Sequence, residues 1–206
     1  MIERITERER KDLGIAWLAL ALAFTLALAG GISVSGVDLG MVALYFILSL
    51  ITVGVGFVLH ELAHKFTAIR YGYWAEFRKD NQMLLVAVAI AALVGVVFAA
   101  PGATMIYGPN LSKRENGVIS ASGPITNLIL CIPFGLLLIG GMTFGLGWFA
   151  ILTGAVGIKI NAMLAAFNML PFGPLDGKKV LAWNPAVFGV LIAVSFVLLY
   201  GALFYL

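Results

Sequence analysis

The only two histidines of this 206-residue chain lie four positions apart, in the segment His60-Glu61-Leu62-Ala63-His64. On a helix, this spacing puts both imidazoles on one face, one turn apart, where they can share a metal ion. The glutamate then falls beside that metal, where it can act as a general base on an attacking water. The alternative interpretation is a chance match just outside a membrane, because the pattern is short and a solvated Glu and His cost nothing there.

A second group of residues, more than 100 positions further along, could complete such a site. The chain reads Asn168-Met169-Leu170-Pro171-Phe172-Gly173-Pro174-Leu175-Asp176-Gly177. Two prolines with a glycine between them predict a broken helix, which would expose Asp176 on irregular chain. A carboxylate is the third ligand that a two-histidine zinc site lacks, and it leaves a fourth position for water. The alternative is an ordinary helix end followed by an Asp-Gly turn.

The composition indicates an integral membrane protein. Hydrophobic residues make up 62% of the chain and charged residues 11%, against roughly 25% charged in soluble domains. The net charge of +3 is modest and spread out, so no nucleic-acid partner is expected and the lipid bilayer is the expected surroundings. The single cysteine, Cys131, excludes an intrachain disulfide framework.

Six apolar stretches are near the roughly 20 residues that a spanning helix needs. They are about 13–34, 40–69, 82–100, 118–141, 147–170 and 185–206. The first follows a segment of mixed charge, which favours an uncleaved spanning helix over a signal peptide. Residues 103–107 and 118–121 flank a polar turn and are predicted as two strands. The expected fold is an all-α polytopic membrane protein with a small re-entrant β-hairpin-like element near 101–121.

The candidate ligands also constrain the topology. They can share a metal only at one membrane depth, so the helices at 40–69 and 147–170 must run parallel and the stretch 82–100 must return to its starting side. With the N-terminus in the cytoplasm, every Lys and Arg except Lys159 then lies on the cytoplasmic side, as the positive-inside rule prefers. We therefore expect a multi-pass protein of the cell membrane, with its C-terminus outside and its site opening toward the cytoplasm.

Together these motifs resemble the site-2 protease family of intramembrane zinc metalloproteases. That family carries HExxH on one membrane helix and an N-x-x-P-x-x-P-x-D-G type motif on a later one. Here Asn168, Pro171, Pro174, Asp176 and Gly177 match the second motif. The segment Gly123-Pro124-Ile125-Thr126-Asn127 is similar to the G-P-x-x-N/S segment that begins a core helix in this family. The apolar insertion at 82–100 departs from the family, since many relatives have only a re-entrant hairpin there.

The resemblance implies that His60, His64 and Asp176 ligate one Zn²⁺ per chain and that Glu61 activates water. Asn168 would help to place the substrate or stabilise the oxyanion. The implied reaction is hydrolysis of a peptide bond in or near the transmembrane segment of a protein or peptide substrate. Residues 1–206 are expected to form a single protease domain with its catalytic core at about 40–180, too short for the PDZ or CBS domains of some relatives.

Other functions fit parts of this pattern. A membrane metal carrier or sensor could use the same ligands without needing Glu61 as a base, and a catalytically silent relative could bind membrane segments. A His-His-carboxylate set also suits iron or cobalt. Asn161 lies seven residues before Asn168, hence on the same helix face, and is predicted to form an interhelical hydrogen bond. The oligomeric state is left open by the sequence.

Overall fold

The structure, a computed structural model, describes residues 5–30, 38–97 and 102–206. Seven helices and two strands follow one another along this part of the chain. In order they are α1 (Glu7–Leu28), α2 (Leu39–Arg70), β1 (Trp74–Lys79), α3 (Asn81–Val94), β2 (Gly102–Tyr107), α4 (Lys113–Phe144), α5 (Trp148–Asn168), α6 (Asp176–Trp183) and α7 (Pro185–Tyr205). The predicted all-α polytopic class is confirmed.

Five of these helices are long and apolar enough to cross a membrane, namely α1, α2, α4, α5 and α7. Helix α3 has 14 residues, which at 1.5 Å per residue span roughly 21 Å. That length falls short of the roughly 30 Å of a hydrocarbon core. The short helix agrees with the prediction that the apolar stretch 82–100 is not a plain crossing, and residues 98–100 of that stretch lie outside the described part of the chain.

The first of two compact units consists of Met1–Val58 and Glu76–Met105. Within it, α1 packs against α3, and the indole nitrogen of Trp17 donates a hydrogen bond to the Leu50 carbonyl at 2.9 Å. The buried Glu9 accepts a hydrogen bond from the Phe77 backbone nitrogen at 3.0 Å. Since a buried carboxylate needs such partners, this contact ties the start of α1 to β1.

The second unit consists of Leu59–Ala75 and Ile106–Leu206. Helix α4 packs against α5 and α6, and α7 packs against both α5 and α6. The fully or nearly fully buried Ala121, Met169 and Val180 form an apolar cluster among these helices. All the residues of the candidate site belong to this unit.

The structure confirms a small two-stranded element and one of its two predicted strands. Strands β1 and β2 form a two-stranded antiparallel sheet, and β2 covers the predicted strand at 103–107. The predicted partner at 118–121 is wrong, because these residues lie in α4. The true partner β1 was not foreseen, although its aromatic residues Trp74 and Phe77 favour a strand.

The start of α4 explains this error. Ser112 accepts a hydrogen bond from the Glu115 backbone nitrogen at 3.2 Å, and the Glu115 carboxylate accepts one from the Ser112 backbone nitrogen at 3.0 Å. This capping box begins the helix at Lys113, ahead of residues whose β-branched side chains suggested a strand. The G-P-x-x-N segment accordingly lies inside α4 rather than at its beginning.

One face of α4 is apolar and exposed. Ile129, Ile132, Leu136 and Ile139 are each more than half exposed, and their spacing of three and four residues places them along one side of the helix. Water would disfavour such a stripe, whereas lipid chains would accept it. The pattern therefore fits a helix that faces lipid on this side.

Candidate metal centre

His60 and His64 lie on consecutive turns of α2, and both imidazoles are buried, with 4% and 7% of each residue exposed. The four-residue spacing brings the two Nε2 atoms to 3.0 Å from each other. The rings are nearly perpendicular, with centroids 4.6 Å apart. The helix thus presents two ring nitrogens toward one point, as the sequence predicted.

Asp176 brings a carboxylate to the same point. Its Oδ2 atom lies 3.4 Å from Nε2 of His60 and 3.1 Å from Nε2 of His64. Helix α5 ends at Asn168 and irregular chain follows to Leu175, so the break that the two prolines predicted is present. The prediction of an exposed Asp176 on irregular chain is wrong, because the residue begins α6 and is 7% exposed.

Gly177 allows this sharp return of the chain. A Cβ atom at position 177 would lie 2.0 Å from the carbonyl oxygen of Met169, closer than any side chain can approach a backbone atom. The absence of a side chain therefore lets the first turn of α6 pack directly on the end of α5. This packing carries Asp176 to the two histidines.

The three ligand atoms fit a tetrahedral metal ion. Ligand atoms about 2.0–2.1 Å from zinc at tetrahedral angles are roughly 3.4 Å apart, and the observed separations are 3.0, 3.1 and 3.4 Å. A backbone carbonyl can only accept, so His64 Nδ1 carries a proton and donates a hydrogen bond to the Ile119 carbonyl at 2.8 Å. The lone pair of His64 Nε2 then points toward Asp176 Oδ2, an arrangement of acceptors that a cation satisfies.

Asp176 is suited to be an anionic ligand. In the metal-free site, where protons on the imidazoles can take the place of a cation, burial raises the pKa of the Asp176 carboxyl, but the charge of a protonated His64 and hydrogen bonds from the imidazoles outweigh that effect and lower the pKa below its ordinary range. Its second oxygen, Oδ1, lies 3.6 Å from Nζ of the half-exposed Lys179. The lowered pKa favours the ionised carboxylate, which is the form that binds a metal cation.

Gly123 of α4 faces the metal centre. A Cβ atom there would lie 2.5 Å from Cε1 and Nε2 of His64 and 2.6 Å from Nε2 of His60. The glycine therefore leaves the space in which the two imidazoles meet. The G-P-x-x-N segment thus contributes a close approach between α4 and α2, although the sequence indicated only a helix start.

Two asparagines link His60 to α4 and α5 through a chain of polar contacts. Nδ1 of His60 lies 2.6 Å from Oδ1 of Asn127, and Nδ2 of Asn127 donates to Oδ1 of Asn161 at 3.0 Å. The predicted interhelical hydrogen bond of Asn161 is confirmed. Asn127 was not among the predicted site residues, although its place in the G-P-x-x-N segment was a signal for it.

Glu61 and Asn168 are placed differently. Glu61 lies between the two histidines on α2 and is 9% exposed, so it is adjacent to the candidate ligands in the chain. Asn168 ends α5 and is half-buried, and its Nδ2 atom donates to the carbonyl of Leu164 at 3.0 Å. Their predicted parts in catalysis stay predictions.

Comparison with known proteins gives two relatives. One is 40% identical over 193 residues and comes from Methanocaldococcus jannaschii; the match covers 92% of this chain and 91% of the relative. The other is 29% identical over 161 residues and comes from Bacillus subtilis; the match covers 67% of this chain and 71% of the relative. Both are named "Putative zinc metalloprotease", MJ0611 and YwhC respectively.

No family model matches the chain, and no solved structure matches it significantly. The relatives' names agree with the cluster of two histidines and one aspartate. Similarity at 40% identity over nine-tenths of both chains is sufficient to establish common descent. The chain therefore belongs to the family of zinc metalloproteases that includes the Methanocaldococcus jannaschii protein.

Proposed function

We propose that this chain is an intramembrane zinc metalloprotease of the site-2 type, which hydrolyses a peptide bond in or near the transmembrane segment of its substrates. The observation that carries this proposal is the convergence of His60, His64 and Asp176, with both histidines on α2, a helix long and apolar enough to cross a membrane. Ionisable groups in such a helix are costly and are retained for a function. Membership of a zinc metalloprotease family supports the chemistry.

The five spanning helices give a consistent membrane arrangement. If each crosses once and α3 makes no net crossing, α2 and α5 run in the same direction. The histidines near the end of α2 and the aspartate just after α5 then lie on the same side of the membrane. With the N-terminus in the cytoplasm of a cell-membrane protein, the site opens toward the cytoplasm.

Catalysis divides among the residues of the site. His60, His64 and Asp176 would hold the zinc ion, which when bound supplies a Lewis acid that polarises the scissile carbonyl and activates water. The Glu61 carboxylate would take the proton of the attacking water and deliver it to the leaving amine. Asn168, at the end of α5, would help to place the substrate or stabilise the developing oxyanion.

A helical substrate must unwind before its peptide bond can be attacked, because its carbonyls are occupied by backbone hydrogen bonds. Strand β2 (Gly102–Tyr107) supports an extended substrate by strand addition, in which main-chain hydrogen bonds hold the unwound segment. The predicted second strand at 118–121 has no part in this, since those residues are helical.

The proposal is tested with the protein purified in detergent and a panel of transmembrane substrates. Wild type should cleave at least one of them, and a chelator should stop the reaction. Glu61→Gln should lower kcat/KM by about 10²–10⁴-fold, the usual contribution of a general base, while retaining zinc. Asp176→Asn should lose both zinc and activity, and the exposed Glu7→Gln serves as the matched control.

Equal cleavage by wild type, Glu61→Gln and Asp176→Asn would end the assignment. A metal carrier or sensor would give a different result, because it does not need Glu61 as a base. Zinc binding and metal transport that survive Glu61→Gln, without cleavage of any substrate by wild type, would favour that function instead.

A further inference from the structure

A chain of buried polar contacts runs from His60 through α4 into α5. His60 Nδ1 lies 2.6 Å from Asn127 Oδ1, and Asn127 Nδ2 lies 3.0 Å from Asn161 Oδ1. Asn161 Nδ2 in turn lies 2.9 Å from the carbonyl oxygen of Gly157. Both asparagines are completely buried, so bulk water does not offer either amide an alternative hydrogen-bond partner.

The last contact fixes the direction of every hydrogen bond in this chain. The Gly157 carbonyl can only accept, so the amide nitrogen of Asn161 must face it and the amide oxygen must face Asn127. Asn127 therefore turns its nitrogen to Asn161 and its oxygen to His60. An oxygen at this position accepts a hydrogen bond from a protonated Nδ1 of His60, which leaves the lone pair of the neutral ring on Nε2.

We propose that Asn161 is a positioning residue of the metal centre, which holds the Asn127 amide in the orientation that keeps Nε2 of His60 free to bind metal. This inference rests on the metal site of the proposed function and not on proteolysis. The side-chain hydrogen bonds of Asn161 go to Asn127 and to the Gly157 carbonyl, so it would act on His60 through Asn127. Without it, the Asn127 amide could flip and present its nitrogen to His60.

A flipped Asn127 would oppose metal binding. Its NH₂ group would face His60 Nδ1, which would then have to act as the acceptor and place its proton on Nε2. A protonated Nε2 cannot ligate a metal ion. The tautomer of His64 does not depend on the orientation of a side-chain amide. Its Nδ1 donates a hydrogen bond to the Ile119 backbone carbonyl, which can only accept.

The test measures zinc affinity of the purified full-length chain by competition with a chromophoric chelator. Asn127→Leu should weaken zinc binding by about 10–100-fold, as loss of an orienting partner usually does, and Asn161→Leu by roughly 10-fold. The double variant should equal Asn127→Leu within about twofold, because Asn161 acts through Asn127. The matched control is Thr153→Val, since Thr153 is also buried on α5 but donates to Phe149 within its own helix.

A second substitution at position 127 shows whether Asn161→Leu weakens zinc binding through the orientation of the Asn127 amide or through a loss of packing. In an Asn127→Asp background the two side-chain oxygens are equivalent, so no flip is possible and a further Asn161→Leu change should not weaken zinc binding. A loss of affinity there, or effects of Asn127→Leu and Asn161→Leu that simply add, would overturn the proposal. If wild type itself bound no zinc, the proposed function would fail instead.

A measurement without any substitution covers the case in which Asn161→Leu does not fold. Nitrogen-15 NMR of the zinc-loaded wild type reads the protonation of each histidine nitrogen. The proposal requires a protonated Nδ1 on His60. An unprotonated Nδ1 would overturn it.

Discussion

At the metal centre, each histidine is oriented by an oxygen atom of α4. His64 donates to the Ile119 carbonyl and His60 contacts the Asn127 side chain, so one helix fixes both rings that another helix provides. Gly123 lies between these two contacts in the chain and leaves room for the rings. The placement of the two candidate histidine ligands therefore depends on three residues of α4 that are not candidate ligands themselves.

Gly123→Ala should damage the site without unfolding the protein. The added methyl would lie 2.5 Å from the His64 ring, so an imidazole or α4 must move, and zinc affinity and cleavage should fall by about 10-fold or more. Zinc affinity by chelator competition measures the effect. Gly135→Ala on the same helix is the control, because nothing lies within 4 Å of its added carbon; equal behaviour of the two variants would contradict the account.

Residue types and spacing marked His60, His64 and Asp176 as candidate ligands, and the family resemblance implied that they share one metal ion; the structure brings the three together. Each of those residue types is costly in apolar chain, so each stands out from its neighbours. Asn127 could not be assigned a role in the same way, because its importance lies in a contact with a residue 67 positions away. The burial of Asp176 likewise depends on the packing of α6 on α5, which the prolines alone do not reveal.

Among the elements, the start of α4 and the break after α5 position the residues of the candidate site. The capping box at Ser112 and Glu115 begins α4 early enough to carry residues 118–121 into the helix, which corrects the predicted hairpin. Propensity alone favoured a strand there, but a local start signal and the packing of α4 outweigh it. Helix α2 and the break after α5 were predictable, because each has an unambiguous signal in the sequence.

Strand β2 gives an element-scale prediction. Proline substitutions along Ala103–Tyr107 remove backbone donors, so those at positions that would pair with substrate should lower cleavage by about 10-fold or more. Zinc affinity should be unchanged, because the three ligands lie outside this strand. Alanine substitutions at the same non-alanine positions are the control, since they keep the donors. Full cleavage by every proline variant would argue against strand addition.

For the whole molecule, composition predicted a membrane protein and the structure supplies five helices able to cross one. The apolar stretch at 82–100 could not be classified by hydropathy alone, because its composition resembles that of a crossing. Its helix is too short, as the shared depth of the ligands required. If each of the five helices crosses once and the stretch between α2 and α4 makes no net crossing, Glu7 and Leu206 would lie on opposite sides of the membrane.

This topology is measurable with single introduced cysteines. Glu7→Cys and Leu206→Cys put reactive thiols at exposed positions, while the native Cys131 is buried and should not react. A membrane-impermeant maleimide should label position 7 only from the cytoplasm and position 206 only from outside. Labelling of position 206 only from the cytoplasm would contradict the arrangement.

The most direct test of intramembrane zinc proteolysis is the position of the cut. Mass spectrometry of the products from a transmembrane substrate, cleaved by zinc-loaded wild type in detergent, identifies the hydrolysed bond. The account predicts a cut within or beside the transmembrane segment that disappears in Glu61→Gln while zinc stays bound. Cuts confined to soluble regions of the substrate, or the same products from Glu61→Gln, would contradict it.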